Sequence, residues 1–332
     1  MDRLVTLDAI RSAAERLRGV TRITPLIEAR ELVGPPSAPA LLLKCENLQL
    51  GGAFKIRGAF NMASRLSDEE RRHGLLTYSS GNHGLALALT ARMLGIPALI
   101  VMPTTAPPVK VEGARALGAE VVFEGTTTIE RKARAEAEAA ARGMTIVPPF
   151  DHEQIVEGQG TIGLEILDQC PGVGTVFVQM SGGGLISGVA TALKRSRPSI
   201  EVVGVEPVGA ARMTASLAAG APVTIPTVHG IADGLLAVRP GETTFRHIQA
   251  FVDRVTTVDD AAIVGALRWL FGEAKIVAEP SGAITVAAAL AEARGKRGVG
   301  SRGPVVALIS GGNVEAQAFA RYISGQNVPD AG

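Results

Sequence analysis

The sequence is organised around the stretch Asn47-Leu-Gln-Leu-Gly-Gly-Ala-Phe-Lys-Ile-Arg-Gly-Ala-Phe-Asn61, with Lys55 near its centre. Gly51 and Gly52 allow the backbone to turn tightly and to approach a ligand closely. A lysine amine becomes a nucleophile when desolvation or nearby positive charge lowers its pKa, and Arg57 is a candidate source of that charge. The stretch therefore suggests a lysine that bonds covalently to a carbonyl cofactor, against the plain alternative of a surface lysine in a turn.

Composition argues against several classes of function. The 332 residues are 46% hydrophobic and 20% charged, with a formal net charge of +1, so neither a nucleic-acid nor a membrane partner is expected. The most apolar window, 85–102, is interrupted by Arg92, Gly95 and Pro97, which predicts helix, turn and strand rather than a membrane span. The cysteines lack metal-ligand spacing, as expected of reduced thiols in a cytoplasmic protein.

The order of predicted elements indicates the fold class. The apolar runs 121–123, 202–205 and 305–309 do not alternate with polar residues, which is typical of strands buried in parallel sheets. Helical segments alternate with these runs, the clearest being the Ala- and Glu-rich segment 129–142. This alternation predicts an α/β protein with open, doubly wound sheets, in which ligands bind beyond the carboxyl ends of the strands.

Three loops of small residues follow predicted strands at those ends. Ser79–Gly84 offers hydroxyl, amide and N–H groups, Ser181–Gly184 offers N–H groups for an anion, and Ser310–Asn313 offers a hydroxyl. Each loop alone is equally consistent with close packing, and none matches a nucleotide-binding glycine motif. Together with Lys55 they supply an amine, a phosphate cradle, a hydroxyl for a ring nitrogen and an amide for a ring oxygen. Those are the groups that pyridoxal phosphate requires.

A series of motifs in this order carries a resemblance to a known family. The motifs are Ala53–Gly58, Ser79–Gly84, Gly158–Thr161, the glycine loop at Ser181, Ala232–Gly234, Glu279–Ala283 and Ser310–Asn313. Over nearly the whole chain, the sequence resembles the threonine dehydratase / serine racemase group of fold-type-II pyridoxal-phosphate enzymes. The resemblance implies two tryptophan-synthase-beta-like α/β domains with the cofactor in the cleft between them. Residues 1–62 and 151–332 would form the large domain, and residues 63–150 the smaller inserted domain.

The resemblance also implies roles for individual residues. The catalytic residues would be Lys55, which would hold the cofactor covalently and move the α-proton, and Ser80 on the opposite face of the cofactor. The cofactor-binding residues would be Phe54, Lys55, Asn82, Ser181, Gly182, Gly183, Gly184, Leu185, Gly234, Glu279 and Ser310. The substrate carboxylate would lie against Ser79, Ser80, Gly81, Asn82 and His83. Within these sets, residues 181–185 would hold the phosphate, Asn82 the ring hydroxyl oxygen, and Ser310 the pyridine nitrogen.

The activity implied by the resemblance is ammonia loss from a small amino-acid substrate. L-Threonine or L-serine would undergo β-elimination to a 2-oxo acid and ammonia, and a neutral Ser310 at the ring nitrogen favours that outcome over a long-lived carbanion. The alternatives are a serine-type racemase, a lyase for another 3-hydroxy amino acid, and a catalytically silent cofactor-binding or regulatory protein. A homodimer or homotetramer is implied. Because the sequence ends at Gly332, the allosteric extension of biosynthetic threonine dehydratases is not expected.

One position departs from the family pattern. Some relatives hold a divalent ion through a glutamate, a backbone carbonyl and a second carboxylate. Here Glu206 and the Ala210 carbonyl are in register, but Arg212 stands in the last position. A cationic side chain repels a dication, so no metal is expected. An ion pair between Glu206 and Arg212, a monovalent ion or the guanidinium itself would take the space.

Overall fold

The computed structural model describes residues 4–29, 40–294 and 303–325. The strands are β1 Leu26–Glu28, β2 Leu41–Cys45, β3 Leu75–Thr77, β4 Ala98–Met102, β5 Glu120–Phe123, β6 Thr145–Ile146, β7 Thr175–Gln179, β8 Glu201–Pro207, β9 Arg254–Val258 and β10 Val305–Ile309. The helices are α1 Leu7–Leu17, α2 Ile56–Ala63, α3 Asp68–His73, α4 Asn82–Leu94, α5 Pro108–Ala116, α6 Thr128–Arg142, α7 Glu153–Gln169, α8 Gly184–Ser196, α9 Arg212–Ala219, α10 Glu242–Phe251, α11 Asp260–Gly272, α12 Pro280–Arg294 and α13 Ala316–Ser324. Gly332, on which the expectation of no extension depends, lies outside the described residues.

The described strands form two sheets with helices between and around them. The larger has the order β1-β2-β10-β7-β8-β9 and is parallel except for β1, which pairs antiparallel with β2. The smaller has the order β5-β4-β3-β6 and is parallel throughout. This arrangement confirms the predicted α/β class. The division of the chain at 62/63 and 150/151 stays a prediction.

The burial of the strands follows their position in the sheets. Every residue of β4, β7 and β10 is buried, because each of these strands has a neighbour on both sides and helices on both faces. The expectation of a buried strand at 121–123 is wrong. β5 pairs only with β4 at the edge of the smaller sheet, and Phe123 is 42% exposed.

Helix α7 is much longer than the predicted segment 160–167. Its glycines lower helix propensity, which conceals the first turns from a sequence reading. A Cβ atom on Gly158 would lie 2.5 Å from the Arg57 carbonyl oxygen of α2, and one on Gly163 would lie 2.7 Å from the Ala192 Cβ of α8. These glycines therefore allow three helices to pack closely behind the cleft. Within the described part of the chain, no helix has both the length and the apolar character needed to cross a bilayer.

Candidate active site

Lys55 stands directly before α2, at the meeting point of the two sheets. The Phe54 N–H donates to the Ser310 carbonyl at 3.1 Å, which fixes the lysine segment to the carboxyl end of β10. The Lys55 Nζ atom donates to the Pro149 carbonyl at 2.6 Å and lies 5.1 Å from the centroid of the Phe54 ring. Burial lowers the pKa of Lys55 to about 8, although Glu279 opposes the change. The amine is thus neutral in a substantial fraction of molecules near pH 8, as a nucleophile or base must be.

Arg57 does not act on this amine, so the expectation that it lowers the pKa of Lys55 is wrong. Its guanidinium is buried and donates to both Glu46 carboxylate oxygens at 2.8 Å and to Glu165 Oε1 at 2.6 Å. Lys44 Nζ also donates to Glu165, at 2.5 Å. The network anchors the first turn of α2, and removing one partner would leave a buried charge uncompensated. Burial, rather than neighbouring positive charge, is what shifts the pKa of Lys55.

The loop at 79–83 opens α4 after β3. Its N-cap residue, Gly81, provides no side-chain cap, so the first N–H groups of the helix are available to an anion. The His83 ring is buried and its Nε2 atom lies 2.9 Å from the Val147 carbonyl oxygen. Burial, together with Lys55, lowers the pKa of His83 to about 3, which keeps the ring neutral. His83 can therefore offer an anion only its backbone N–H.

Asn82 ties this loop to the larger sheet. Its Nδ2 atom donates to Glu279 Oε1 at 2.8 Å, and its Oδ1 atom accepts from Asn313 Nδ2 at 2.9 Å. Burial, assisted by Asp233, raises the pKa of Glu279 to about 8, so the carboxyl is largely protonated at neutral pH. Asn313 also donates to the Gly51 carbonyl at 2.7 Å. Sequence reasoning gave Asn313 no role of its own, although its place at the end of the Ser-Gly-Gly-Asn motif was a usable signal.

The loop at 181–185 opens α8 after β7. Gly183 has a φ of +102°, which favours glycine, and it caps the helix without a side-chain bond. The Gly182 carbonyl accepts from Thr244 Oγ1 at 2.6 Å and from the Gly241 N–H at 3.2 Å. A Cβ atom on Gly182 would overlap the Phe150 ring. The loop is thus packed on its inner side, while the first N–H groups of α8 have no partner within the helix.

The remaining predicted residues lie at the same edge of the larger sheet. Ser310 is buried immediately after β10 and presents a neutral hydroxyl, and the Gly234 N–H donates to Ser281 Oγ at 2.9 Å. The structure therefore brings together a buried amine, an uncapped helix start for a phosphate, and a neutral hydroxyl for a ring nitrogen. This set of donors fits pyridoxal phosphate, which would be held by Lys55 and the loop at 181–185.

The expected divalent site does not fit the residues present. The Arg212 guanidinium donates to the carbonyls of Met180 at 2.6 Å, Ser181 at 3.1 Å, and Ala210. Glu206 instead accepts from the Met213 and Thr214 N–H groups at the start of α9. The expected ion pair between Glu206 and Arg212 is wrong, since the structure shows no contact of that kind between these two described side chains. A guanidinium already occupies the carbonyl oxygen that a dication would need.

Known proteins share this architecture. The model of the family described as pyridoxal-phosphate dependent enzyme matches residues 17–311. The chain is 39% identical over 323 residues to the L-threonine ammonia-lyase of Thermotoga maritima, covering 97% of this chain and 79% of that protein. It is 38% identical over 324 residues to the serine racemase of Schizosaccharomyces pombe, covering 97% and 98%. The structure of maize serine racemase is similar with a TM-score of 0.90 at 38% identity, covering 96% of this chain and 97% of that one.

These similarities confirm the predicted family, the fold-type-II architecture and the pyridoxal-phosphate cofactor. Relatives named for ammonia loss and relatives named for racemisation are similar to this chain at nearly equal identity. What they share is the cofactor and the fold. The chain belongs to the family of pyridoxal-phosphate dependent enzymes.

Proposed function

We propose that this chain is an ammonia-lyase that removes the β-hydroxyl from L-threonine or L-serine and yields a 2-oxo acid and ammonia. One observation carries the proposal. Lys55 is a desolvated amine with a pKa of about 8, and it stands between the loop at 181–185 and the loop at 79–83. Among the described residues, Ser80 Oγ has no hydrogen-bond partner that would take its proton. β-Elimination needs one base at the α-carbon, whereas racemisation needs one on each face.

In this proposal each loop binds one part of the reacting pair. The N–H groups at 181–185 hold the cofactor phosphate, and those at the start of α4 hold the substrate carboxylate. When bound, the cofactor supplies the electron sink that makes the α-proton acidic. Lys55 Nζ takes that proton, and the β-hydroxyl leaves as water after receiving a proton. Protonated Glu279 keeps the Asn82 amide in place beside the reacting groups.

A serine-type racemase is the second candidate, because Ser80 occupies the substrate loop and is only half-buried. Its hydroxyl would exchange a proton on the face opposite Lys55. The serine racemase of Schizosaccharomyces pombe is as similar to this chain as the ammonia-lyase of Thermotoga maritima. Both candidates use the same cofactor site and differ in which face of the α-carbon is protonated.

The test is an assay of the purified, cofactor-loaded protein against a panel of 3-hydroxy amino acids. The reaction is scored for 2-oxo acid, for ammonia and for the D-isomer. We expect 2-oxobutanoate from L-threonine and pyruvate from L-serine, each formed faster than any D-isomer. Faster formation of D-serine would assign the chain as a racemase. No product from any member of the panel would favour a catalytically silent protein.

A further inference from the structure

Arg212 is a fully buried cation outside the set of residues assigned to the reaction. It is the first residue of α9, and its guanidinium reaches across to the connection between β7 and α8. Its hydrogen-bond acceptors are backbone carbonyls, those of Met180, Ser181 and Ala210. Within the described residues, no carboxylate lies in ion-pair contact with it. A buried charge held only by carbonyl dipoles at the root of an anion-binding loop calls for an explanation beyond packing.

The geometry of the peptide unit indicates what these bonds do. In a trans peptide the C=O of one residue and the N–H of the next point in opposite directions. Holding the Met180 carbonyl therefore turns the Ser181 N–H away from the guanidinium, and holding the Ser181 carbonyl does the same for the Gly182 N–H. The Gly182 carbonyl is held in turn by Thr244 and Gly241. Successive carbonyls are thus fixed by the protein, and successive N–H groups stay available to an anion.

We propose that Arg212 is a positioning residue for the cofactor phosphate, which it aids by fixing the carbonyls of Met180 and Ser181 and by placing a permanent positive charge behind the loop. The inference depends on the proposed function, in which the loop at 181–185 binds that phosphate. Glu206 does not cancel the charge by direct contact, because its carboxylate is engaged by the N–H groups of Met213 and Thr214. A guanidinium suits this role better than an ammonium, since its planar fork can meet several carbonyls at once.

The experiment compares pyridoxal phosphate with pyridoxal, which lacks the phosphate, as ligands of the apoenzyme. Dissociation constants are measured for the wild type and for Arg212→Met and Arg212→Lys, with the melting temperature of each apoenzyme. We expect Arg212→Met to weaken binding of pyridoxal phosphate by about 10- to 100-fold and to change pyridoxal binding by less than about threefold. Arg212→Lys, which keeps the charge but not the fork, should fall between the wild type and Arg212→Met.

Arg254→Met is the matched control. Arg254 is a partly buried arginine at the amino-terminal end of β9, where it pairs with Glu201 and Glu292, away from the loop. It should leave the ratio of the two dissociation constants at the wild-type value. The inference is overturned if Arg212→Met keeps the wild-type ratio or, should that variant not fold, if folded Arg212→Lys keeps it. A wild type that binds both ligands equally would overturn the phosphate site itself, and the inference with it.

Discussion

Two loops in this molecule have the same design and opposite surroundings. Both follow a parallel strand and open a helix with a glycine N-cap that makes no side-chain bond, at Gly81 before α4 and at Gly183 before α8. Behind the α8 loop, a Cβ atom on Gly182 would overlap Phe150. Beside the α4 loop, a Cβ atom on Gly81 would meet none of the described atoms within 4 Å. One helix start is packed and buried, and the other is accessible.

The difference matches two kinds of occupant. A cofactor that stays bound benefits from a preformed site, because little conformational freedom is lost on binding. A substrate that must enter and leave on each turnover needs an accessible site. The supports differ in the same way: Arg212 behind the α8 loop is a permanent charge, whereas Glu279 beside the α4 loop titrates near pH 8. The predictions below test this division, from the largest expected effect to the smallest.

The largest effect is expected at the amine between the two loops. Lys55→Ala removes both the covalent anchor and the α-carbon base, so ammonia release should fall by about 10³-fold or more. Borohydride reduction of the wild type, followed by peptide mass spectrometry, should label Lys55, and the variant should not be labelled. Lys194→Ala, at a surface ion pair with Asp253, serves as the control. A label on any other lysine would contradict the assignment.

The glycines give the most direct contrast between the loops. Gly182→Ala places a methyl group against Phe150, so we expect it to weaken pyridoxal-phosphate binding at least about 10-fold and to destabilise the fold by about 1–3 kcal/mol. Gly81→Ala adds the same methyl group in open space at a φ of −96°, and should leave both quantities near the wild type. Urea unfolding and cofactor titration measure the two effects. Equal losses in the two variants would remove the distinction between a packed and an open loop.

The sequence revealed the positions of both loops but not this distinction. The order of motifs around Lys55 was sufficient to predict the family, the cofactor and the α/β class, because glycine-rich turns after strands are local signals. The role of Arg57 and the partners of Arg212 were not predictable. Both depend on which distant carboxylates and carbonyls the fold brings within 3 Å, and a linear pattern carries no such information. The full length of α7 was concealed for a related reason, since its glycines serve packing against other helices.

The titrating support of the open loop predicts a pH effect on the apoenzyme. The pKa of Glu279 is about 8 in the folded protein against an ordinary value of 4.5, so its contribution to stability is complete below pH 4.5 and is lost as the pH rises through 8. The charged neighbours Asp233 and Lys110 also act on this carboxyl. Lys55, with a pKa lowered from 10.5 to about 8, changes stability above that window.

We therefore expect the free energy of unfolding of the wild-type apoenzyme to fall by a few kcal/mol more than that of Glu279→Gln between pH 5 and pH 8. The glutamine keeps an acceptor for the Asn82 amide and does not titrate. Urea unfolding at several pH values gives the two curves. Parallel curves would show that Glu279 is ionised throughout, and that the open loop does not depend on a protonated carboxyl.

A smaller effect on ammonia release is expected at Ser80, on the accessible loop. Racemisation needs a proton carrier on each face of the α-carbon, whereas elimination needs only Lys55. Ser80→Ala should abolish any formation of D-serine and reduce ammonia release by less than about 10-fold. The ratio of D-serine to pyruvate, followed over time, is the measurement, with Ser79→Ala as the neighbouring control. Unchanged racemisation in Ser80→Ala would remove this hydroxyl from the mechanism.

The smallest effect is expected for metal removal, because the packed loop already contains its cation. At ~4 Å, two like unit charges repel by about 4 kcal/mol at an effective dielectric constant of roughly 20, and a dication doubles that figure. Mg²⁺ and Ca²⁺ also require oxygen ligands, and the Ala210 carbonyl is engaged by Arg212. Chelation with EDTA, or addition of Mg²⁺, should therefore leave the activity and the melting temperature of the wild type unchanged.

Arg212→Asp makes this prediction falsifiable in both directions. The substitution removes the guanidinium and adds a carboxylate near Glu206 and the Ala210 carbonyl, which together resemble an oxygen ligand set for a hard cation. We expect this variant to bind pyridoxal phosphate weakly in EDTA and to recover affinity with Mg²⁺. If chelation inactivates the wild type, a metal binds despite Arg212, and the packed loop is no more self-sufficient than the open one. If only Arg212→Asp responds to Mg²⁺, the guanidinium performs in this chain what a bound cation performs in a metal-dependent one.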